Sequence, residues 1–142
     1  MSTATIDVTA RNTATIQGIY EAFGRGDVPA ILAVIADDCA WENWSDNSAQ
    51  KAGVPWMQAG RGPAGVGAFF QAISSWAPER FEVVSLMAGG DKVAGEIEAG
   101  FNVGNGRSFA DQELHLWTLN AGGKVSAFRH YLDTAKHIAV AK

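Results

Sequence analysis

Two histidines, His115 and His130, are spaced to meet across a β-hairpin near the C-terminal end of the chain. Between them lies Ala121-Gly122-Gly123, which is turn chemistry. A two-residue turn at Gly122-Gly123 pairs Ala121 with Lys124 and sets His115 opposite His130. Glu113 and Trp117 then share the face of His115, and Phe128 and Leu132 share that of His130. A three-residue loop with Gly123 as a bulge makes His115 face Arg129 instead, and Asp111, Arg129 and Asp133 come together inside. Cross-strand partners have Cβ atoms roughly 4.5–5.5 Å apart. Two imidazoles that close in a dry cavity would share one positive charge and titrate together. One ring can take a proton from carbon while the other returns one to oxygen. That pattern suits enolisation, aldol ring closure or loss of water. Tyr20 and Glu113 are candidate partners for the rings. Glu113, His115 and His130 also have the types of a two-histidine, one-carboxylate metal site.

The elements that must position these groups follow from periodicity. Ile16, Ile19, Tyr20 and Phe23 mark one face of a first helix, which ends at Gly24-Arg25-Gly26. Asp27 caps a short second helix with Pro29 in its first turn and Ile31, Leu32 and Ile35 on its buried side. A third helix follows Gly62-Pro63, with a stripe of Val66, Phe69, Phe70, Ile73 and Trp76, and Pro78 closes it. Cys39 to Ser45 reads as a short strand, opened by Asp37 and Asp38. Phe81 to Met87, Val93 to Val103, Ser108 to Leu119 and Val125 to Asp133 read as four more, joined by Gly-rich turns. The stretch from Ser45 to Gly62 reads as a long surface loop or lid. Helices beside one antiparallel meander make an α+β domain over 1–142. Strands this long twist and curl, so the expected shape is a cone with a cavity inside. Trp41, Trp56, Phe70, Trp117, Phe128 and Leu132 would give it apolar walls for a flat ligand.

Composition narrows the functions. Among 142 residues, 11 basic and 15 acidic side chains leave a net charge of −4. Nucleic acid is therefore a poor partner, and so is an anionic membrane. The longest apolar run, Ala30 to Ala36, has seven residues, too few for a membrane span. Met1 to Asp7 has neither a basic flank nor an apolar stretch, which argues against a signal peptide. The single Cys39 cannot form an internal disulfide, and a cytoplasmic location is expected. No P-loop, dinucleotide fingerprint, CxxC or GxSxG motif is present, so nucleotide cofactors and serine hydrolysis are not expected.

Gly18 to Asn43, GIYEAFGRGDVPAILAVIADDCAWEN, resembles the opening of the NTF2-like superfamily, which includes ketosteroid isomerases and SnoaL-like polyketide cyclases. Gly62 to Phe70 looks like that superfamily's G-x-x-x-V-x-x-F-F helix, and Leu114 to Thr134 looks like its closing hairpin. The resemblance implies an NTF2-like (cystatin-like) cone, three N-terminal helices on a strongly curved, mostly antiparallel sheet enclosing a pocket. It favours the register that faces His115 with His130. It places an inward acid at the position of His115 in the isomerases, and an inward acid/base carboxylate at that of His130 in the cyclases. The isomerase general base falls on Asn43, which cannot abstract a proton but would polarise a substrate carbonyl. Dehydratases of this fold are similar in using two histidines with tyrosine and aspartate. The resemblance further implies a homodimer through the convex sheet face, a small apolar organic ligand, and no cofactor or metal. Asp111, Arg129 and Asp133, brought inside by the other register, would resemble limonene epoxide hydrolase. A non-catalytic ligand-binding protein and a scaffold whose cavity is filled by tryptophans are the alternatives to an enzyme.

Overall fold

The computed structural model describes residues 7–44 and 46–142. Helix α1 (Val8–Gly24) begins at Asp7, whose carboxylate accepts from the Ala10 amide at 3.1 Å. It buries Ile16 and Ile19 and ends where Gly26 adopts φ 71°. Asp27 caps α2 (Val28–Leu32) through the Ala30 amide. Six strands follow the order β2-β1-β6-β5-β4-β3 in one sheet. They are β1 (Ile35–Trp41), β2 (Gly60–Arg61), β3 (Ala77–Gly89), β4 (Lys92–Gly104), β5 (Arg107–Leu119) and β6 (Val125–Tyr131). Among the described residues, only the β1–β6 pair is parallel. Helices α1 and α4 (Gly62–Ala72) lie against the sheet, so the architecture is the expected α+β cone. Its core joins Ile16, Ile31, Cys39, Val66, Val93 and Phe128. Burial raises the Cys39 thiol to about 11, as suits a packed, unreactive side chain.

Several elements differ from the sequence expectation. The first strand starts at Ile35 and ends at Trp41 rather than spanning Cys39 to Ser45, and Ser45 lies outside the described residues. The third helix stops at Ala72; Trp76 follows in a turn and packs on Trp56 with ring centroids 4.8 Å apart. Pro78 sits inside β3, opposite Phe101. The segment before Gly62 is not a bare loop. It forms α3 (Ser48–Lys51) and a 3₁₀ turn (Pro55–Met57), and it buries Ala49, Val54, Trp56 and Met57 in a core of its own. A last helix, α5 (Thr134–Val140), closes that core with Ile138 and Val140, and Asp133 caps it through the Ala135 amide.

The hairpin between β5 and β6 combines both turn readings. Asn120 and Lys124 close a three-residue loop, with the Asn120 amide donating to the Lys124 carbonyl at 2.8 Å and Gly123 at φ 83°. That loop alone would bring Arg129 opposite His115. A bulge at Ser126 restores the missing residue: Leu119 pairs with Val125, but Thr118 pairs with Ala127. His115 therefore faces His130, and Trp117 faces Phe128.

Candidate active site

Alternation along β5 turns Asp111, Glu113, His115 and Trp117 inward, and all four are buried. His115 lies over Gly95 of β4, where a Cβ would come within 2.7 Å of the Tyr20 hydroxyl. Glycine at that point lets Tyr20 descend from α1 onto the histidine. The Tyr20 oxygen accepts from Trp117 Nε1 at 3.0 Å and lies 2.7 Å from His115 Nδ1. His115 Nε2 lies 2.9 Å from Glu113 Oε1. The carboxylate can only accept, so Nε2 carries the proton and Nδ1 accepts from the tyrosine. Both nitrogens of His115 are thereby engaged. Burial pushes its pKa down further than Glu113 lifts it, so the ring is neutral near neutral pH. Burial also raises the Tyr20 phenol. Glu113 is held below the ordinary carboxylate range, because its bonds to His115 and His137 outweigh the cost of burial.

His130 projects from β6 with its ring edge-on to His115, centroids 4.8 Å apart. Its partner is Glu42, just past the end of β1, a residue with φ 54° and no exposed surface. One Glu42 oxygen accepts from the His130 amide at 2.7 Å, and the other lies 3.1 Å from His130 Nδ1. Nδ1 is therefore the protonated nitrogen, and Nε2 keeps a free lone pair. No hydrogen bond to His130 Nε2 exists among the described residues. Burial lowers the affinity of His130 for a second proton, but the charge of Glu42 and its bond more than restore it, so the pKa rises above its ordinary value.

Helix α5 brings a third imidazole. His137 Nε2 donates to Asp111 Oδ2 at 2.8 Å and reaches Glu113 Oε2 at 3.4 Å. Its Nδ1 accepts from Trp56 Nε1 at 2.8 Å. The two carboxylates favour a charged ring against the cost of burial, but a second proton on Nδ1 would point at the indole N–H. The bond to Trp56 thus keeps His137 neutral.

Tyr20, Glu113, His115, His130 and His137 line a largely apolar cavity with about 70 Å³ open to water-sized molecules. Its walls include Tyr20, Trp41, Trp56 and Phe70 together with Glu113, Trp117, Phe128 and Leu132. Asn43 is not among them. Its side chain is exposed and accepts from Arg129 Nε at 2.6 Å. The positive φ of Glu42 breaks the strand alternation, so Glu42 rather than Asn43 points inward; alternation from Trp41 gave no sign of this. The Asp111, Arg129 and Asp133 grouping does not form either. Asp111 is inside on His137, Arg129 is outside beneath Trp44 with its guanidinium carbon 4.7 Å from the ring centroid, and Asp133 caps α5. His137 is not among the sequence candidates, because the strand pattern from Val125 runs on to Asp133, whereas β6 ends at Tyr131. The Asp-Thr-Ala-Lys start of a capped helix was the available signal.

Among the described residues, two sets could offer ligands to a divalent ion: Glu113, His115 and His130, and Asp111, Glu113 and His137, each with ligand atoms within 4.8 Å of one another. A ligating His137 Nε2 would normally leave its proton on Nδ1, where the Trp56 N–H already points. In the first set, His115 and Glu113 already satisfy each other. Either set would bind an ion only by giving up bonds it now makes.

The model for the SnoaL-like domain matches residues 16–128. The chain belongs to this SnoaL-like family. Solved structures agree with the fold. An NTF2-like protein from Burkholderia xenovorans LB400 is 27% identical, with a TM-score of 0.77 over 94% of this chain and 98% of that one. A polyketide cyclase candidate from Xanthomonas campestris pv. campestris is 21% identical, with a TM-score of 0.69 over 96% and 100%. TerC, co-crystallized with polyporic acid, is 20% identical, with a TM-score of 0.74 over 92% and 98%. Among curated proteins, none matches the chain. No helix among the described residues is long and apolar enough to cross a membrane.

Proposed function

We propose that this SnoaL-like chain is a cofactor-independent enzyme that moves a proton on a small, mostly apolar, carbonyl-bearing molecule. The reaction is of the isomerase, aldol cyclase or dehydratase type. One observation carries the reading: His130 is backed by a buried carboxylate on Nδ1 and presents a free Nε2 to an apolar cavity. Nε2 takes a proton from the carbon beside the carbonyl, and the resulting imidazolium, stabilised by Glu42, returns it to another atom of the same molecule. A ring that both takes and returns the proton suits 1,3-transfer and enolisation. His115, locked by Tyr20 and Glu113, fills the facing position as a neutral neighbour, so that His130 takes the proton without a second cation beside it. This revises the division of labour expected from the sequence. The base is His130 with Glu42, while His115 positions, and Asn43 takes no part.

A binding protein without turnover is the second reading. It is favoured by the absence, among the described residues, of a free donor aimed at a substrate oxygen. Deuterium uptake from D2O into a panel of small aryl ketones, followed by NMR, separates the two. Exchange that disappears in His130→Gln supports the enzyme; binding with no exchange in the unmodified protein sinks it.

A homodimer through the outer face of the sheet is proposed as well, because Leu114 and Tyr131 pair there with their side chains exposed. Sedimentation at micromolar concentration should show a dimer; a monomer overturns it. A cytoplasmic location remains part of this proposal.

A further inference from the structure

The hydrogen-bonding capacity of the cavity is almost used up, and what is left has one sign. Tyr20 accepts from Trp117 and donates to His115. His115 donates to Glu113, and His137 spends its one N–H on Asp111 and Glu113. The indole of Trp56 donates to His137. The Trp41 indole N–H has no partner, but it is occluded from solvent and from the hollow. What remains open to an occupant is the Nε2 lone pair of His130 and spare lone pairs on Glu113. All of these accept.

The charges have one sign too. Glu42, Asp111 and Glu113 have side chains 0%, 2% and 7% exposed. No lysine or arginine lines the cavity among the described residues. The bonds at both nitrogens keep His115 and His137 neutral, so the three carboxylates are offset at most by a proton on His130. A buried anion brought here would meet uncompensated negative charge in a poorly solvated space.

We infer that the cavity takes a small, uncharged, flat aromatic molecule bearing a hydroxyl or N–H group that donates to His130 Nε2, and that it refuses carboxylates and phosphates. The aromatic walls receive the ring, and the single acceptor fixes its orientation. The inference deepens the proton-transfer reading, because the enol formed when the imidazolium hands its proton to the substrate oxygen presents a hydroxyl to the same nitrogen. It survives if that reading fails, since it concerns binding alone.

The test is calorimetry with three probes on one skeleton, run at a pH where the imidazole NMR signals show His130 neutral: 2-naphthol, 2-methoxynaphthalene and 2-naphthoate. The naphthol should bind about tenfold more tightly than its methyl ether, the worth of one hydrogen bond. The naphthoate should show no heat at concentrations that saturate with naphthol. His130→Phe should erase the naphthol preference, and, independently of how that variant folds, naphthol should shift the His130 Nε2 resonance of the unmodified protein. An ether as tight as the naphthol overturns the donor requirement. A naphthoate that matches or exceeds the naphthol overturns the charge argument. Failure of all three to bind overturns the ligand class. Naphthol binding without ketone exchange leaves the ligand class standing and removes the enzyme.

Discussion

His130 and His137 are both buried imidazoles held by a carboxylate, yet they are built for opposite ends. Glu42 takes one nitrogen of His130 and leaves the other facing the cavity. Asp111 and Glu113 take one nitrogen of His137, and Trp56 closes the other. A histidine–carboxylate pair can exchange protons with a ligand only where a lone pair is left over. In the proposed function the first pair is the reagent. The second is a staple that ties α5 and the Pro55–Met57 turn to the middle of the sheet.

The comparison breaks most sharply at the open ring. His130→Gln should lower ketone exchange by about 10²–10⁴-fold, the usual worth of a general base, with the protein still folded by circular dichroism. Its counterpart, His137→Ala, leaves Asp111 and Glu113 buried without their shared donor. It should cost roughly 3–5 kcal/mol in urea unfolding, while exchange per folded molecule persists. If that variant instead lost exchange at full stability, the distinction between reagent and staple would fall.

Two gentler changes sharpen it. Trp56→Phe opens the closed pair by freeing His137 Nδ1. It should cost about 1–3 kcal/mol and let the His137 ring take a second proton, seen as a new imidazole titration by NMR. Glu42→Gln keeps an acceptor for the His130 amide but removes the charge. The pH at which exchange switches on should therefore fall, with a smaller loss of rate than in His130→Gln. In the unmodified protein the sign is set by the raised pKa of His130, above its ordinary 6.5. The stabilisation from its pair with Glu42 is complete below 6.5 and is lost as pH rises through the folded value. The unprotonated base appears over that same interval, so activity should climb while stability declines. His115 has a lowered pKa and acts the other way, since the unfolded chain takes its proton first as pH falls below 6.5.

Much of the frame was legible because it rests on repeated patterns. The stripe of α1, the Asp27 cap and the alternation of β5 each follow from local chemistry, and they deliver Tyr20, Glu113, His115 and Trp117 to one space. The site was legible only where strands stay regular. Glu42 was hidden because a left-handed glutamate costs about 1–2 kcal/mol and leaves no periodic trace. Here its bonds to His130 and the Gln50 side chain at its carbonyl hold it in place. His137 was hidden because its partners lie in two segments distant from it in sequence, Trp56 and the Asp111–Glu113 stretch.

The loop after Asn120 and the kink at Ser126 have a consequence for chain length. The kink displaces β6 by one position beyond the Asn120–Lys124 pair and so returns His130 to the interior. Straightening Ser126 with the loop unchanged would exchange His130 for Arg129 and place a guanidinium beside the greasy walls. The bulge, not the length of the loop, therefore decides which face of β6 looks inward, and the loop itself should tolerate a change of length.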